Sequence, residues 1–202
     1  MNIRILSVDL QKDFSAPGGK HFHPHPNVKF IKAELLPFLR ENGIKIAEII
    51  SDYRQPRPGD RDASCLPGTT GYESEIPADL KLQPVWVKCM NSPIWTRDGV
   101  GDASKQAGLP YEDTKEFGSW LDKIVGKAGE VDIVLIGLTI DCCVLCTAQE
   151  LSMRGYKVFV LREGVDPYSG DQTQKQQILD GPILNNWAKT IGWEQLKQRL
   201  QS

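Results

Sequence analysis

A run of seven almost wholly apolar residues, Val131–Gly137 (VDIVLIG), constrains the fold of this chain more than any other segment. A strand that is apolar on both faces needs a cover on both faces, which is typical of parallel sheets packed between helices. Four further β-rich runs alternate with longer amphipathic stretches, and each run is bounded by turn residues or charges. These predicted strands are Ile3–Asp9, Ile46–Asp52, Pro84–Cys89 and Tyr156–Leu161.

The stretches around these strands carry apolar residues three and four positions apart, which predicts helices. In the first of them Asn27 is a suitable N-cap, and Pro37 should kink the helix. Alternation of this kind predicts one doubly wound α/β domain over 1–202, with a mostly parallel sheet and helices on both faces. The predicted helices are Asn27–Asn42, Thr114–Lys127, Cys142–Arg154, Asp171–Asn186 and Trp193–Gln201.

Charge and composition exclude several classes of protein. The 24 Lys and Arg against 26 Asp and Glu give a net charge of −2, so we expect no nucleic acid as partner, because nucleic acid requires a concentrated positive field. No apolar stretch is long enough to cross a bilayer, and Asp9 interrupts the first apolar run before a secretory signal can form. Five cysteines in such a chain indicate a reducing compartment, so we expect a cytoplasmic protein without a membrane partner.

Charged residues stand at the ends of three predicted strands. Asp9, Asp52 and Lys88 fall at or just past the carboxyl ends of their strands, as does the segment after Gly137. In open parallel sheets the ligand site lies outside the carboxyl ends of the strands. We therefore expect these residues to share one edge of the sheet and to face a small-molecule substrate.

A thiol is expected at the same edge of the sheet. The sequence GLTIDCCVLCT passes from the buried strand through a tight turn into a helix that begins near Cys142 or Cys143. A helix start lowers the pKa of a thiol, and its free N–H groups can hold an oxyanion. With Asp9 to take the thiol proton and Lys88 to keep that carboxylate ionised, the thiolate can attack a carbonyl.

Four motifs together resemble one family, the isochorismatase-like cysteine hydrolases. That family includes nicotinamidases, N-carbamoylsarcosine amidases and ureidoacrylate or biuret amidohydrolases. The resemblance runs in order from about residue 3 to about residue 161. The motifs are SVDLQKDF at Ser7–Phe14, CLPGTTGYESEI at Cys65–Ile76, VKCMNSP at Val87–Pro93 and GLTIDCCVLCTA at Gly137–Ala148.

The resemblance implies a catalytic triad of Asp9, Lys88 and Cys143, because the family's nucleophilic cysteine directly precedes a valine. It also implies an oxyanion hole formed by the N–H groups of Thr139 and Cys143, with a cis peptide bond at Leu138–Thr139. The implied enzyme is a cysteine amidohydrolase, which cleaves the C–N bond of a small amide or ureido compound through a thioester and needs no cofactor.

The resemblance also implies an assembly, since members of the family are often dimers or tetramers. We therefore expect a homo-oligomer, either a dimer or a tetramer. Trp187 and Trp193 are candidates for the contact between copies, because large aromatic residues are enriched at such contacts.

The sequence departs from the nicotinamidases of the family. These bind a divalent metal through an Asp and two or three His, whereas here Asp52 is accompanied by Arg54 and Ser64 where His is expected. The segment Arg61–Ala63 also lacks the aromatic residue that stacks on nicotinamide. One carboxylate does not hold Zn²⁺, so the resemblance implies an amidase without a metal.

Two arginines and two aromatic residues are candidates for substrate binding. Arg54 and Arg61 lie in a loop rich in Pro and Gly, and arginine pairs with a carboxylate bidentately. The loop can therefore bind an acidic or ureido substrate, or it can be a solvated charged loop. Phe14 and Trp95 are candidates for an aromatic pocket lining, and Trp95 is equally suited to the core.

The three histidines of the chain, His21, His23 and His25, occur in HFHPHP. On an extended segment they would share one side and could bind a metal. The two prolines favour a surface turn instead.

Three other functions stay open. Cys143 and Cys146 form a C-x-x-C at a helix start, which is typical of thiol–disulfide oxidoreductases but leaves Asp9 and Lys88 without a role. A non-catalytic small-molecule binder is the second. The third is an isochorismatase-type ether hydrolase, and the resemblance suggests that this reaction uses no cysteine nucleophile.

Overall fold

Six parallel strands form the central sheet of the protein. The computed structural model describes residues 2–55, 57, 60 and 62–201. The strands run in the order β3-β2-β1-β6-β7-β8, with each pair of neighbours parallel, and β4 and β5 form a separate antiparallel ribbon. Their bounds are β1 Asn2–Val8, β2 Ala47–Ser51, β3 Trp86–Lys88, β4 Trp95–Arg97, β5 Pro110–Glu112, β6 Val131–Leu138, β7 Lys157–Asp166 and β8 Lys189–Ile191.

Helices cover both faces of this sheet. A wider π-helical turn, Ile31–Leu35, joins α2 to α3, and a second one, Leu121–Val125, extends α4. The helices are α1 Lys12–Ser15, α2 Pro26–Phe30, α3 Leu36–Glu41, α4 Thr114–Trp120, α5 Cys143–Met153, α6 Gln172–Asp180, α7 Pro182–Asn185 and α8 Trp193–Gln201. None of the described helices has the length and the apolar character that a membrane crossing requires.

The alternation of side chains along β6 divides the core in two. Ile133 and Leu135 pack in one cluster with α4 and α5, while Val134 and Ile136 pack in the other with α2, α3 and α8. A strand with period-two alternation and apolar residues on both faces must lie between two helical layers. The predicted class, a single doubly wound α/β domain with a parallel sheet, is confirmed.

Short elements account for most of the differences from the prediction. The edge strand β8 and the ribbon of β4 and β5 are each three residues per strand, too short for a period-two pattern to indicate them. The predicted helix Asp171–Asn186 is divided between α6 and α7. Its interruption lies at Gly181, which has extended backbone and precedes Pro182 at the start of α7.

The predicted N-cap of the first long helix is wrong. Asn27 lies inside α2, which begins at Pro26, and its N–H donates to Asp166 Oδ2 at 2.8 Å. A carboxylate from the distant strand β7 therefore accepts a hydrogen bond from one of the free N–H groups at the start of α2. Ahead of Pro37 the Leu36 N–H bonds to Ile31 O, five residues back, so the helix widens where the proline is accommodated.

The placement of Trp193 differs from the expectation of a contact between copies. Its side chain is buried in the core. The ring lies edge-on to Phe30 and Phe38, with centroids 5.6 and 5.1 Å away. Trp187 is partly buried against the other core cluster. Trp193 is therefore a core residue of the single chain.

Candidate active site

The carboxyl edge of the sheet carries a buried acid. Asp9 follows β1 and is 1% exposed, and its φ of 51° is in the left-handed region, which Asp adopts more readily than most residues. Ser51, the last residue of β2, donates its hydroxyl to Asp9 Oδ1 at 2.8 Å. Lys88 Nζ lies 2.8 Å from Asp9 Oδ2 as an ion pair that lacks the alignment of a hydrogen bond. The carboxylate is therefore held between a hydroxyl and a cation.

Lys88 ends β3 and is fully buried. Burial alone would lower its pKa, but the neighbouring acidic groups, Asp9 first among them, outweigh burial and raise the pKa of Lys88 well above the usual value. The ammonium is therefore a permanent cation that links acid and sulfur. Its Nζ contacts Asp9 Oδ2 at 2.8 Å, Ser51 Oγ at 2.8 Å, Tyr53 OH at 2.7 Å, Met90 O at 2.9 Å and Cys143 Sγ at 3.4 Å.

Cys143 is the first residue of α5, and its side chain is buried beside that of Cys142 at an Sγ–Sγ distance of 4.0 Å. The hydrogen bond to Cys142 and burial raise the pKa of the Cys143 thiol, whereas the same bond lowers the pKa of Cys142 to about 7. Burial and the contact with Cys142 therefore oppose the expected lowering of the Cys143 pKa by the helix start. A raised pKa favours the protonated thiol, so an attack by its sulfur requires a base.

Two backbone amides, those of Thr139 and Cys143, belong to residues that line the cavity beside the Cys143 sulfur. The peptide bond between Leu138 and Thr139 is cis. Around it, the N–H groups of Cys142 and Val144 both donate to Thr139 O. Within the described part of the chain, the Thr139 and Cys143 N–H groups donate no backbone hydrogen bond. Both residues line a cavity, so these amides are available to an oxyanion there.

Hydrogen bonds to neighbouring elements hold the turn that carries these amides in place. Asn27 Nδ2 donates to Gly137 O and to Gly164 O, both at 3.1 Å, and Ile140 N–H donates to Asp166 O. Gly137 has a φ of +127°, and a Cβ there would lie 2.0 Å from Val8 O. Only glycine allows β6 to pass this close to β1 before the turn.

A cavity of about 260 Å³ opens onto the sulfur. Its size suits a small molecule, and its wall combines aromatic, charged and thiol groups. Two larger surface hollows, of about 570 and 540 Å³, contain none of the groups described above. The cavity is lined by Phe14, Arg57, Asp60, Leu138, Thr139, Asp141, Cys142, Cys143 and Tyr168.

Among the described arginines of the loop, Arg57 is the one that lines the cavity. Its Nε and Nη2 donate to the Asp60 carboxylate at 2.6 and 3.1 Å, and its Nη1 donates to Asn91 Oδ1 at 2.5 Å. Its Cζ lies 4.1 Å from the centre of the Tyr53 ring. Three of its five N–H bonds are used in these contacts, so the guanidinium keeps donors for a ligand.

The other predicted binding residues are distributed differently. Phe14 lines the cavity, whereas Trp95 starts β4 and is not part of the lining. Arg54 donates to both oxygens of Asp52 and to the carbonyls of Gly99, Asp102 and Lys105. These contacts tie two loops together, and a role of Arg54 in substrate binding stays a prediction. Arg61 lies outside the described residues.

The histidine segment adjoins the cavity. His21 stacks on Phe14 with ring centroids 5.5 Å apart, and its Nε2 lies 3.1 Å from Ser64 Oγ. The His23 ring lies edge-on to Tyr168 at 4.8 Å. Among the residues that the structure describes, no group of three or more His, Cys, Asp or Glu side chains could hold a metal ion.

Ser51, Tyr53 and Asn91 are site residues that the sequence reasoning missed. Ser51 and Tyr53 flank Asp52 at the end of β2, and Asn91 follows Lys88 by three positions. Their position just past strands was a usable signal, since the ligand edge of the sheet had been predicted there.

The comparisons with known proteins agree with this fold. The family model of the isochorismatase domain matches residues 95–180. A search among curated proteins found no match. A pyrazinamidase of Pyrococcus horikoshii, solved in complex with zinc, is similar with a TM-score of 0.63 and 18% identity, covering 96% of this chain and 100% of that one.

Two further solved structures have the same architecture. An isochorismatase-like hydrolase of Alkaliphilus metalliredigens has a TM-score of 0.65 and 18% identity, over 98% of this chain and 99% of that one. A pyrazinamidase/nicotinamidase of Streptococcus mutans has a TM-score of 0.62 and 20% identity, over 94% and 100%. Residues 95–180 thus match the isochorismatase domain model, and the chain has the fold of these hydrolase structures, which agrees with the resemblance drawn from its motifs.

Proposed function

We propose that this protein is a cysteine amidohydrolase, which cleaves the C–N bond of a small amide or ureido compound. One observation carries the proposal: the buried Lys88 Nζ contacts both the Asp9 carboxylate, at 2.8 Å, and the Cys143 sulfur, at 3.4 Å, beside a cavity. An acid, a cation and a thiol in one dry cluster are the parts that nucleophilic acyl transfer needs. The names of the pyrazinamidase neighbours, which are amidases, agree with this chemistry.

In the first half-reaction Asp9 takes the proton of the Cys143 thiol, and the sulfur attacks the substrate carbonyl. The oxyanion of the tetrahedral intermediate accepts hydrogen bonds from the N–H groups of Thr139 and Cys143. The C–N bond then breaks, and the leaving ammonia or amine takes the proton from Asp9. The acyl group remains on Cys143 as a thioester.

In the second half-reaction water attacks the thioester while Asp9 takes a proton from it. The C–S bond breaks, the acid leaves, and the sulfur recovers its proton from Asp9. Lys88 donates to the cluster throughout and balances the negative charge that alternates between Asp9 and Cys143. Its raised pKa keeps this charge constant at neutral pH.

The Pyrococcus neighbour was solved in complex with zinc. In this chain the surroundings of Asp52 do not suit a zinc ion. The buried Asp52 carboxylate accepts from Arg54 at 2.7 Å and from the Gly101 N–H at 2.8 Å, so both its charge and its lone pairs are engaged. We therefore propose a metal-free hydrolase and assign no step to a metal.

For the substrate we propose contacts with Phe14 and with the Arg57–Asp60 pair. Phe14 offers an apolar wall, and the pair offers N–H donors next to carboxylate acceptors. A planar group with a carbonyl and an N–H side by side, as in an amide or a urea, meets both requirements. Binding by Arg61, a cytoplasmic location and a homo-oligomeric assembly stay predictions from the sequence.

The thiol–disulfide alternative requires Cys143 and Cys146 to exchange a disulfide. All five cysteines are free, and the sulfur nearest to Cys143 Sγ is that of Cys142. The geometry favours the hydrolase.

A panel of small amides, ureides and isochorismate, read by ammonia release and product analysis, tests the proposal. Intact mass spectrometry should find an acyl adduct that Cys143→Ala abolishes and that Cys146→Ala, the matched control one turn along α5, retains. Ether cleavage without ammonia, or equal loss of activity in the two variants, would count against an amidohydrolase.

A further inference from the structure

Tyr53 is a buried titratable group that the mechanism above leaves without a role. It follows Asp52 at the end of β2 and is fully buried. Its hydroxyl lies 2.7 Å from Lys88 Nζ, 3.5 Å from Cys143 Sγ and 3.3 Å from Met90 O. The hydroxyl therefore touches both the cation and the nucleophile of the candidate site.

The direction of each hydrogen bond to this hydroxyl follows from the chemistry of its partner, except at the sulfur, where either the phenol or the thiol can donate. An ammonium has no acceptor, so Lys88 donates to the Tyr53 oxygen. The single phenol proton then has two acceptors, Met90 O and the sulfur of Cys143. Met90 O already accepts from Lys88 at 2.9 Å. When the sulfur becomes a thiolate, it is the stronger acceptor, because hydrogen bonds to charged groups are about twice as strong as neutral ones.

We propose that Tyr53 is a further catalytic residue, whose hydroxyl donates to Cys143 Sγ and stabilises the thiolate before it attacks. This inference rests on the proposed function. Two cations flank the ring: the Arg57 guanidinium at 4.1 Å and the Lys88 ammonium at 5.1 Å from its centre. Both withdraw charge from the phenol and strengthen its hydroxyl as a donor. Burial raises the pKa of Tyr53, so the proton stays on the oxygen.

The reactivity of the thiol measures this contact without any substrate. Besides Tyr53, the groups that act on Cys143 Sγ are Asn91, Cys142 and the charges of Lys88, Asp9 and Arg57. Alkylation of Cys143 by iodoacetamide is followed as a function of pH, with fragment-ion mass spectrometry to separate Cys143 from Cys142. Tyr53→Phe keeps the ring and removes one donor, so we expect the midpoint of alkylation to rise by about one to two pH units.

The turnover of an amide substrate is the second measurement that tests the role of Tyr53. We expect kcat/KM of Tyr53→Phe to fall roughly tenfold to a hundredfold, mainly in kcat, because the lost bond acts on the nucleophile rather than on substrate binding. Tyr156→Phe is the matched control. The Tyr156 hydroxyl also donates to a backbone carbonyl, Gly126 O at 2.8 Å, and its loss should leave both readings unchanged.

A second variant protects the test against misfolding of Tyr53→Phe. Fluorotyrosine at position 53 keeps the hydroxyl and makes it a stronger donor, so the alkylation midpoint should fall. A midpoint that does not move in these directions in either variant would overturn the role of Tyr53. If the midpoints move as expected while no amide is hydrolysed, the proposed function fails and the Tyr53 contact stands.

Discussion

At the scale of single residues, the candidate site is a set of groups that satisfy one another. Asp9, Ser51 and Lys88 are each at most 1% exposed, and each contacts the other two at 2.8 Å. A buried polar group that loses its partner keeps its full desolvation penalty. Removing any one of the three should therefore cost more than the bond itself.

Ser51→Ala removes the hydroxyl that bridges Asp9 and Lys88. We expect the free energy of unfolding to fall by about 1–3 kcal/mol, because a carboxylate oxygen and an ammonium each lose a partner. Urea denaturation measures this loss. Ser119→Ala is the control, since the Ser119 hydroxyl is exposed and donates to Lys115 O within α4, and it should change stability by less than about 0.5 kcal/mol. Equal effects of the two variants would contradict the argument.

Lys88→Met leaves the carboxylate of Asp9 buried without a cation. Breaking a buried ion pair by removing one partner costs about 3–5 kcal/mol, so the variant should be clearly less stable in urea. Its turnover should be lower by orders of magnitude when assayed at a temperature where circular dichroism shows it to be folded. Activity close to that of the wild type in the folded variant would remove Lys88 from the mechanism.

The sequence could indicate some of these residues and not others. The proximity of Asp9, Lys88 and Cys143 was predictable because strand ends share an edge and because their motifs resemble a family. Tyr53 and Arg57 depend on where side chains point within a loop, and spacing along the chain does not fix that direction. Arg54 shows the same limit: the sequence made it a candidate for substrate binding, and spacing could not indicate that its guanidinium pairs with Asp52.

At the scale of elements, the passage from β6 to α5 positions the candidate nucleophile, Cys143, and the backbone amides of Thr139 and Cys143. Gly137 lies at the close approach of β6 to β1, with a φ that L side chains rarely adopt. The long element β6 was predictable from its apolar run. The ribbon of β4 and β5 was not, because three-residue strands carry no period and depend on pairing.

Gly137→Ala should destabilise the protein by about 3 kcal/mol or more, since its Cβ would meet the Val8 carbonyl in a backbone that cannot move far. Gly129→Ala is the matched control. Gly129 also has a positive φ, +85°, but nothing lies within 4 Å of its Cβ position, so only strain of about 1–2 kcal/mol is expected. Thermal unfolding of both variants measures the difference, and similar losses would be inconsistent with a steric cause.

The start of α2 should make stability depend on pH. Burial lowers the pKa of His25, which precedes this helix, below the usual 6.5. The unfolded chain therefore binds a proton first as the pH falls through 6.5, and stability declines from there until the folded pKa is passed. The melting temperature should fall less in His25→Asn than in the wild type between about pH 7.5 and about pH 5.5. Equal falls would exclude His25 as a cause.

At the scale of the whole molecule, the Arg54–Asp52 pair links the end of β2 to the loop around Gly99, Asp102 and Lys105. This internal cation occupies the carboxylate, so activity should not depend on a bound metal. Dialysis against a chelator should leave both kcat and the melting temperature unchanged. Arg54→Ala should instead lower stability by about 3–5 kcal/mol, because it uncovers a buried charge. A stoichiometric metal that is lost together with activity would contradict this.

The two outermost strands of the sheet, β3 and β8, are only three residues long. Short edges leave few backbone groups on which a foreign strand could build. Association of two copies, or uptake of a peptide, by extension of the central sheet is therefore disfavoured. A β-rich fibril would first require one of the inner strands to be released by unfolding.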